Sequence, residues 1–147
     1  MKTKLLIFSA FLSFSVAVNS NEKPYRDIIW NALLCSEFGL YSSFDEYLKH
    51  SSNLRELAKL SLKEWVHLSR NGIINNLFTG TANPVSDKFG KPLKPSAYNI
   101  SFDDSDEYIF GLYTGIAKDR VANALGTNFD EYTRYYEKYN CHLLARE

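Results

Sequence analysis

The sequence predicts an all-α protein: a bundle-like single domain of four to five helices with one long Pro/Gly-containing loop, stapled by a disulfide. Three observations carry this. Apolar residues recur at helical spacing through most of the chain. Capping residues and glycine stops punctuate those stretches. Two cysteines, Cys35 and Cys141, lie 106 positions apart near opposite ends of the helical region.

Composition narrows the function classes. In 147 residues, 17 Lys+Arg balance 17 Asp+Glu, which argues against a strongly basic nucleic-acid binder or an acidic tail. A hydrophobic content of 45% is too high for a disordered chain, and 7 Gly with 4 Pro are too few for collagen-like or low-complexity structure. Two cysteines are too few for a disulfide-framework miniprotein or a thiolate zinc site.

Residues 1–20 read as a signal peptide. Lys2 and Lys4 give a positive start, Leu5 to Val18 an apolar run broken by serines, and Val18-Asn19-Ser20 a cleavage site after Ser20. The alternative is a membrane anchor, for which the run is short against the roughly 20 residues a span needs. Cleavage leaves 21–147 as one helical domain of 127 residues, with 15 basic and 17 acidic side chains. No later stretch is apolar enough to span a membrane. The expected location is the periplasm of a Gram-negative bacterium, or outside the cell. An oxidising compartment turns paired thiols into disulfides, so Cys35 and Cys141 are expected to be bonded. The competing reading is a nucleophile, since His142 follows Cys141. Helical neighbours i,i+1 point about 100° apart and do not face each other.

The first helix spans about 24–50, opened by Pro24, with Gly39 marking where it would split in two. Asn53 with Glu56 has capping-box spacing and opens the next helix, which Asn71-Gly72 stops. Leu54, Leu57, Ala58, Ser61, Trp65 and Leu68 form its apolar arc. Residues 73–101 carry Gly80, Pro84, Gly90, Pro92 and Pro95, a density no helix survives. Such a loop is either functional or a surface excursion; Asn99-Ile100-Ser101 within it matches the glycosylation pattern. A third helix begins at Asp104 with Glu107 three residues on, and Gly126 stops it. Its apolar face comprises Ile109, Leu112, Tyr113, Ile116, Ala117, Val121 and Ala124. Asn128 and Glu131 open a last helix striped by Tyr132, Tyr135, Tyr136 and Tyr139 that runs into Cys141. No internal repeat divides the domain.

Candidate binding residues follow. Gly111 and Gly115, four apart mid-helix, suit a tight helix–helix crossing or the floor of a ligand pocket; each glycine costs about 1 kcal/mol relative to alanine. Arg120 falls inside its helix's apolar arc and must be paired, internally or with an anion or partner carboxylate. Tyr132 and Tyr136 share the face of the last helix, either as core or as an exposed aromatic strip for a partner. Asp103, Asp104, Asp106 and Glu107 lack the order of an EF-hand loop and read as helix-capping charge. His50, His67 and His142 have no ligand spacing. No metal site, cofactor or catalytic residue is expected, since no nucleophile elbow, HExxH or P-loop occurs.

Asn31-Ala32-Leu33-Leu34-Cys35, Asp106-Glu107-Tyr108-Ile109-Phe110-Gly111 and Asn140-Cys141-His142-Leu143-Leu144 resemble three anchors of a group of short exported bacterial two-Cys helical proteins. The resemblance implies a helical exported fold and assigns no activity. The layout is also similar to helical periplasmic immunity proteins, which neutralise toxins from neighbouring cells; fold-level analogy does not establish function. The function expected is a small exported, non-enzymatic binding protein acting on a protein partner in the cell envelope, in the manner of an inhibitor or immunity protein, through the 79–100 loop and nearby aromatics. The alternative is a small-molecule binder with its pocket at Gly111, Gly115 and Arg120.

Overall fold

The computed structural model describes residues 22–71, 89 and 103–146. The leader, its cleavage site and the 79–100 loop apart from Phe89 lie outside the described residues. Among those described, five helices and no strand occur: α1 Glu22–Leu40, α2 Asp45–Arg70, α3 Asp106–Leu125, α4 Phe129–Lys138 and α5 Cys141–Leu144. The protein is all-α.

The axis of the fold is α1. Residues 32–39 are buried without interruption, so the helix is covered on every side and its polar members Ser36 and Glu37 must find partners inside. All four other helices touch it. A four-residue turn then sends α2 back antiparallel along it. The pairs Tyr25–Glu64, Ser36–Ser51 and Glu37–Arg55 mark that register. The expected 24–50 helix is therefore two helices, divided just after Gly39.

At the α1–α2 crossing the backbones come close. Ser36 Oγ donates to the Ser51 carbonyl at 3.0 Å, and Ser51 Oγ donates to the Ser36 carbonyl at 2.9 Å. Exchanging hydroxyl bonds satisfies two buried polar side chains where large ones would not fit. Gly39 completes the approach: a Cβ there would lie 2.5 Å from the Tyr47 carbonyl oxygen.

This crossing also overturns the expected start at Asn53. That residue is exposed in the middle of α2, which begins eight residues earlier at Asp45. Burying Ser51 and Leu54 against α1 keeps the chain helical through the capping-box spacing. The stop is as expected, with Asn71 as C-cap. Its apolar arc is rotated slightly: Leu62, Val66 and Ser69 are buried, whereas Leu57, Ser61 and Leu68 are half-buried.

The cap of α3 is Ser105 rather than Asp104; its hydroxyl accepts from Tyr108 N at 3.2 Å. The Asp104 carbonyl instead accepts from Arg70 at 2.6 Å, while Asp106 pairs with the same guanidinium at 2.9 Å. Thus the end of α2 is tied to the start of α3. Gly126, with φ 56°, terminates α3, and Asn128 caps α4 by accepting from Glu131 N. The Glu131 carboxylate pairs with Arg134 at 2.6 Å. Rather than running into Cys141, α4 ends at Lys138. Asn140 adopts the left-handed conformation, φ 52°, which Asn tolerates better than most residues, and α5 follows.

Cys35 and Cys141 form a disulfide with Cα atoms 5.4 Å apart. Both are fully buried, so the bridge joins the central helix to the C-terminal turn inside the core.

Candidate functional site

The residues singled out from sequence occupy very different places. Gly111 and Gly115 form neither a crossing nor a pocket floor among the described residues. Both are exposed, and a Cβ on either would meet nothing within 4 Å. The reason is angular. The buried stripe of α3 is Ile109, Tyr113, Ala117, Val121 and Leu125, and a residue two positions on from a stripe member points about 200° away from it.

Arg120 is half-buried and engaged internally. Its guanidinium lies 5.5 Å from the centre of the Trp30 ring, and Nη1 donates to the Phe89 carbonyl at 3.3 Å. The cation is thus spread over an aromatic face and a backbone dipole. Phe89, unnoticed in sequence within the breaker-rich loop, is only 2% exposed. Its ring meets Phe38 at 5.1 Å and Tyr135 at 4.9 Å, both edge-on. A single aromatic among loop residues carries no periodicity, so only its burial reveals its role.

The tyrosine stripe of α4 is core, not a surface strip. Tyr132, Tyr135 and Tyr136 are buried. Tyr132 lies at a tilt against Tyr41, ring centres 5.3 Å apart, and donates to the Gly126 carbonyl at 2.9 Å. Tyr136 lies flat on Tyr47 at 4.1 Å and shares a 2.7 Å hydrogen bond with His50 Nδ1. Burial, with Tyr47 and Glu46 nearby, pushes the Tyr136 hydroxyl up to about 12. These hydroxyls spend their hydrogen bonds inside the molecule, leaving neither Tyr132 nor Tyr136 to meet a partner.

Glu37 is also internal. Its side chain is 3% exposed and accepts from Arg55 at 3.2 Å. Burial raises its carboxyl above the ordinary range, and Arg55 and Lys118 oppose the rise.

The exposed large apolar residues concentrate elsewhere. Leu40, Tyr41, Phe44 and Leu48 surround the α1–α2 turn. The start of α4 abuts the same turn: Ser42 Oγ meets Thr133 Oγ1 at 2.9 Å, Ser43 N donates to that oxygen at 3.1 Å, and Ser43 Oγ donates to Asp130 at 3.4 Å. This brings Phe129 to the corner as well. Phe44 and Phe129 are each 54% exposed.

These two aromatics belong to a short repeat that helical periodicity does not bring out. Phe44-Asp45-Glu46-Tyr47 recurs as Phe129-Asp130-Glu131-Tyr132. Each copy opens a helix, and in each the Phe stays out while the Tyr packs inward. Four residues are too few to show as a domain repeat, but the identical tetrapeptide was a legible signal. Phe44 is also the N-cap of α2 and makes no side-chain capping bond. A large apolar residue is a poor choice there; Ser, Asp or Asn is preferred by about 1 kcal/mol.

A shallow open groove on another face is lined by Leu60, Lys63, Glu64, His67, Arg70 and Asp106. Its Arg70 and Asp106 are consumed by their mutual ion pair. Among the described residues no three His, Cys, Asp or Glu side chains converge as metal ligands, and no helix is long and apolar enough to cross a membrane.

Neither family models, curated proteins nor solved structures give a match to this chain.

Proposed function

We propose that this chain is a small exported binding protein, without catalysis of its own, that acts on a protein partner in the cell envelope in the manner of an inhibitor. The supporting observation is the corner formed by Leu40, Tyr41, Phe44, Leu48 and Phe129, large apolar side chains held exposed at one end of a tightly packed fold. Clustered exposed apolar surface of this kind is characteristic of protein-contact sites, and aromatic residues are the usual anchors. Rigid backing favours the same use: the turn is pinned to α4 by Ser42, Ser43 and Thr133, so little order would be lost on binding.

Export is supported by the charged, then apolar, leader at 1–20 and by the buried Cys35–Cys141 bridge, a bond that persists in oxidising compartments.

A photo-crosslinking residue at position 44 or 129, introduced in the native host, tests the reading. One envelope protein is expected to be captured from both positions and from neither position 111 nor 115. Equal capture from all four, or none from the corner, would overturn it. Mass measurement of the product in the periplasmic fraction tests export; a cytosolic chain retaining residues 1–20 would contradict that part.

A further inference from the structure

We propose that the twin Phe-Asp-Glu-Tyr turns form one two-pronged docking site whose occupant is a cationic protein segment bearing apolar side chains. This rests on the docking role of the corner and specifies what it takes.

The duplicated turns place an outward Phe beside an outward Asp twice, on two helix starts that touch through Ser43 and Asp130. Asp45, Glu46 and Asp130 are exposed and make no ion pair among the described residues, whereas Glu131 is neutralised by Arg134. Lys49 is the base one turn along α2. Each helix N-terminus adds roughly half a positive charge. Three carboxylates outweigh these contributions, so the apolar centre has an acidic rim. Complementary potential across an interface fixes register and speeds association, and a like-charged partner is rejected.

The rim also argues against a second copy of the chain. A two-fold interface sets the same patch against itself, and here that would oppose Asp45, Glu46 and Asp130 with their own equivalents. A segment with Lys or Arg flanking aromatic or aliphatic residues satisfies both features. The poor N-cap is consistent with such a use: Phe44 breaks a local helix rule at an exposed position, which is where rule-breaking marks function.

The test is selection of a random peptide library displayed on phage against the full chain purified from its host, with counter-selection on the Phe44→Ser/Phe129→Ser variant. Peptides enriched in both Lys/Arg and aromatic or aliphatic residues are expected. Their affinity should fall on the order of tenfold in Asp45→Asn/Asp130→Asn, and at high salt. Neutral or acidic peptides that still require Phe44 and Phe129 would overturn the cationic occupant while leaving the docking corner standing. Failure to recover any peptide sensitive to the double Phe variant would overturn both. Concentration-dependent self-association abolished by that variant would make the occupant a second copy and so refute the inference. Circular dichroism of each variant, expected to be unchanged for these exposed positions, confirms that the comparison is between folded proteins.

Discussion

Gly39 sits so close to the Tyr47 carbonyl that a single added carbon would lie 2.5 Å from its oxygen, and 3.3 Å from the Tyr136 ring. The tight helix approach in this protein is therefore between α1 and α2. Gly39→Ala must push backbone against backbone, and overpacking of this kind costs about 1–3 kcal/mol. Gly111→Ala and Gly115→Ala, on an open face, should instead each stabilise by up to about 1 kcal/mol through helix propensity. Urea midpoints for the three variants check this; an alanine at 39 that leaves the midpoint unmoved would disprove the close approach.

The Cys35–Cys141 bond closes a loop of 106 positions between two fully buried sulfurs. Removing it with Cys35→Ala/Cys141→Ala should lower stability by roughly 4–5 kcal/mol in the loop-entropy account. Because the bridge is buried, reductant should open it only as the protein unfolds. Thiol titration before and after denaturation, alongside thermal melts, measures both effects. Rapid labelling of two thiols in the native protein would show that the bond is absent.

Phe89 lies in the core among Phe38, Tyr135 and Tyr139. Phe89→Ala should cost about 3–5 kcal/mol, the range for emptying a buried aromatic site. Arg120→Lys should be milder, since a lysine keeps a cation near the Trp30 ring and loses only the guanidinium's broader contact and its bond to the Phe89 carbonyl. Tryptophan emission should shift in the Arg120 variant and denaturant midpoints should fall in both. If Phe89→Ala unfolds at the same midpoint as the parent, its ring is not part of the core.

Glu37 gives a pH dependence of unusual sign. Burial raises its carboxyl above the 4.5 of a free glutamate. The native state consequently holds this proton more tightly than the unfolded chain. Its contribution is fully present below the unfolded value and is lost as pH rises through the folded one. Glu37→Gln should therefore gain stability relative to the parent on going from about pH 4 to about pH 7. Midpoints that diverge in the opposite direction would show that Arg55 and Lys118 dominate over burial.

Much of the fold was legible locally. Caps and stops are short-range chemistry, so Gly126 and Asn128 mark the α3–α4 boundary correctly, and the i,i+4 stripe of α3 names most of its buried face. The same local rules misplaced the start of α2, because Asn53 satisfies a capping pattern that packing against α1 overrides. The candidate site was less legible. Tyrosines at helical spacing announce an aromatic face without saying what covers it, and the repeated Phe-Asp-Glu-Tyr says nothing of where its copies meet.

By itself, then, the sequence determined the helical class, most helix ends and the pairing of its two cysteines, since each follows from backbone chemistry or from there being one partner available. Tertiary structure alone decided which apolar residues stay in water. Tyr132 and Tyr136 turned inward while Phe44 and Phe129 stayed out, because burial depends on which helix arrives alongside: Tyr136 meets Tyr47 of α2 and Tyr132 meets Tyr41 at the turn, whereas the two Phe residues stay more than half exposed.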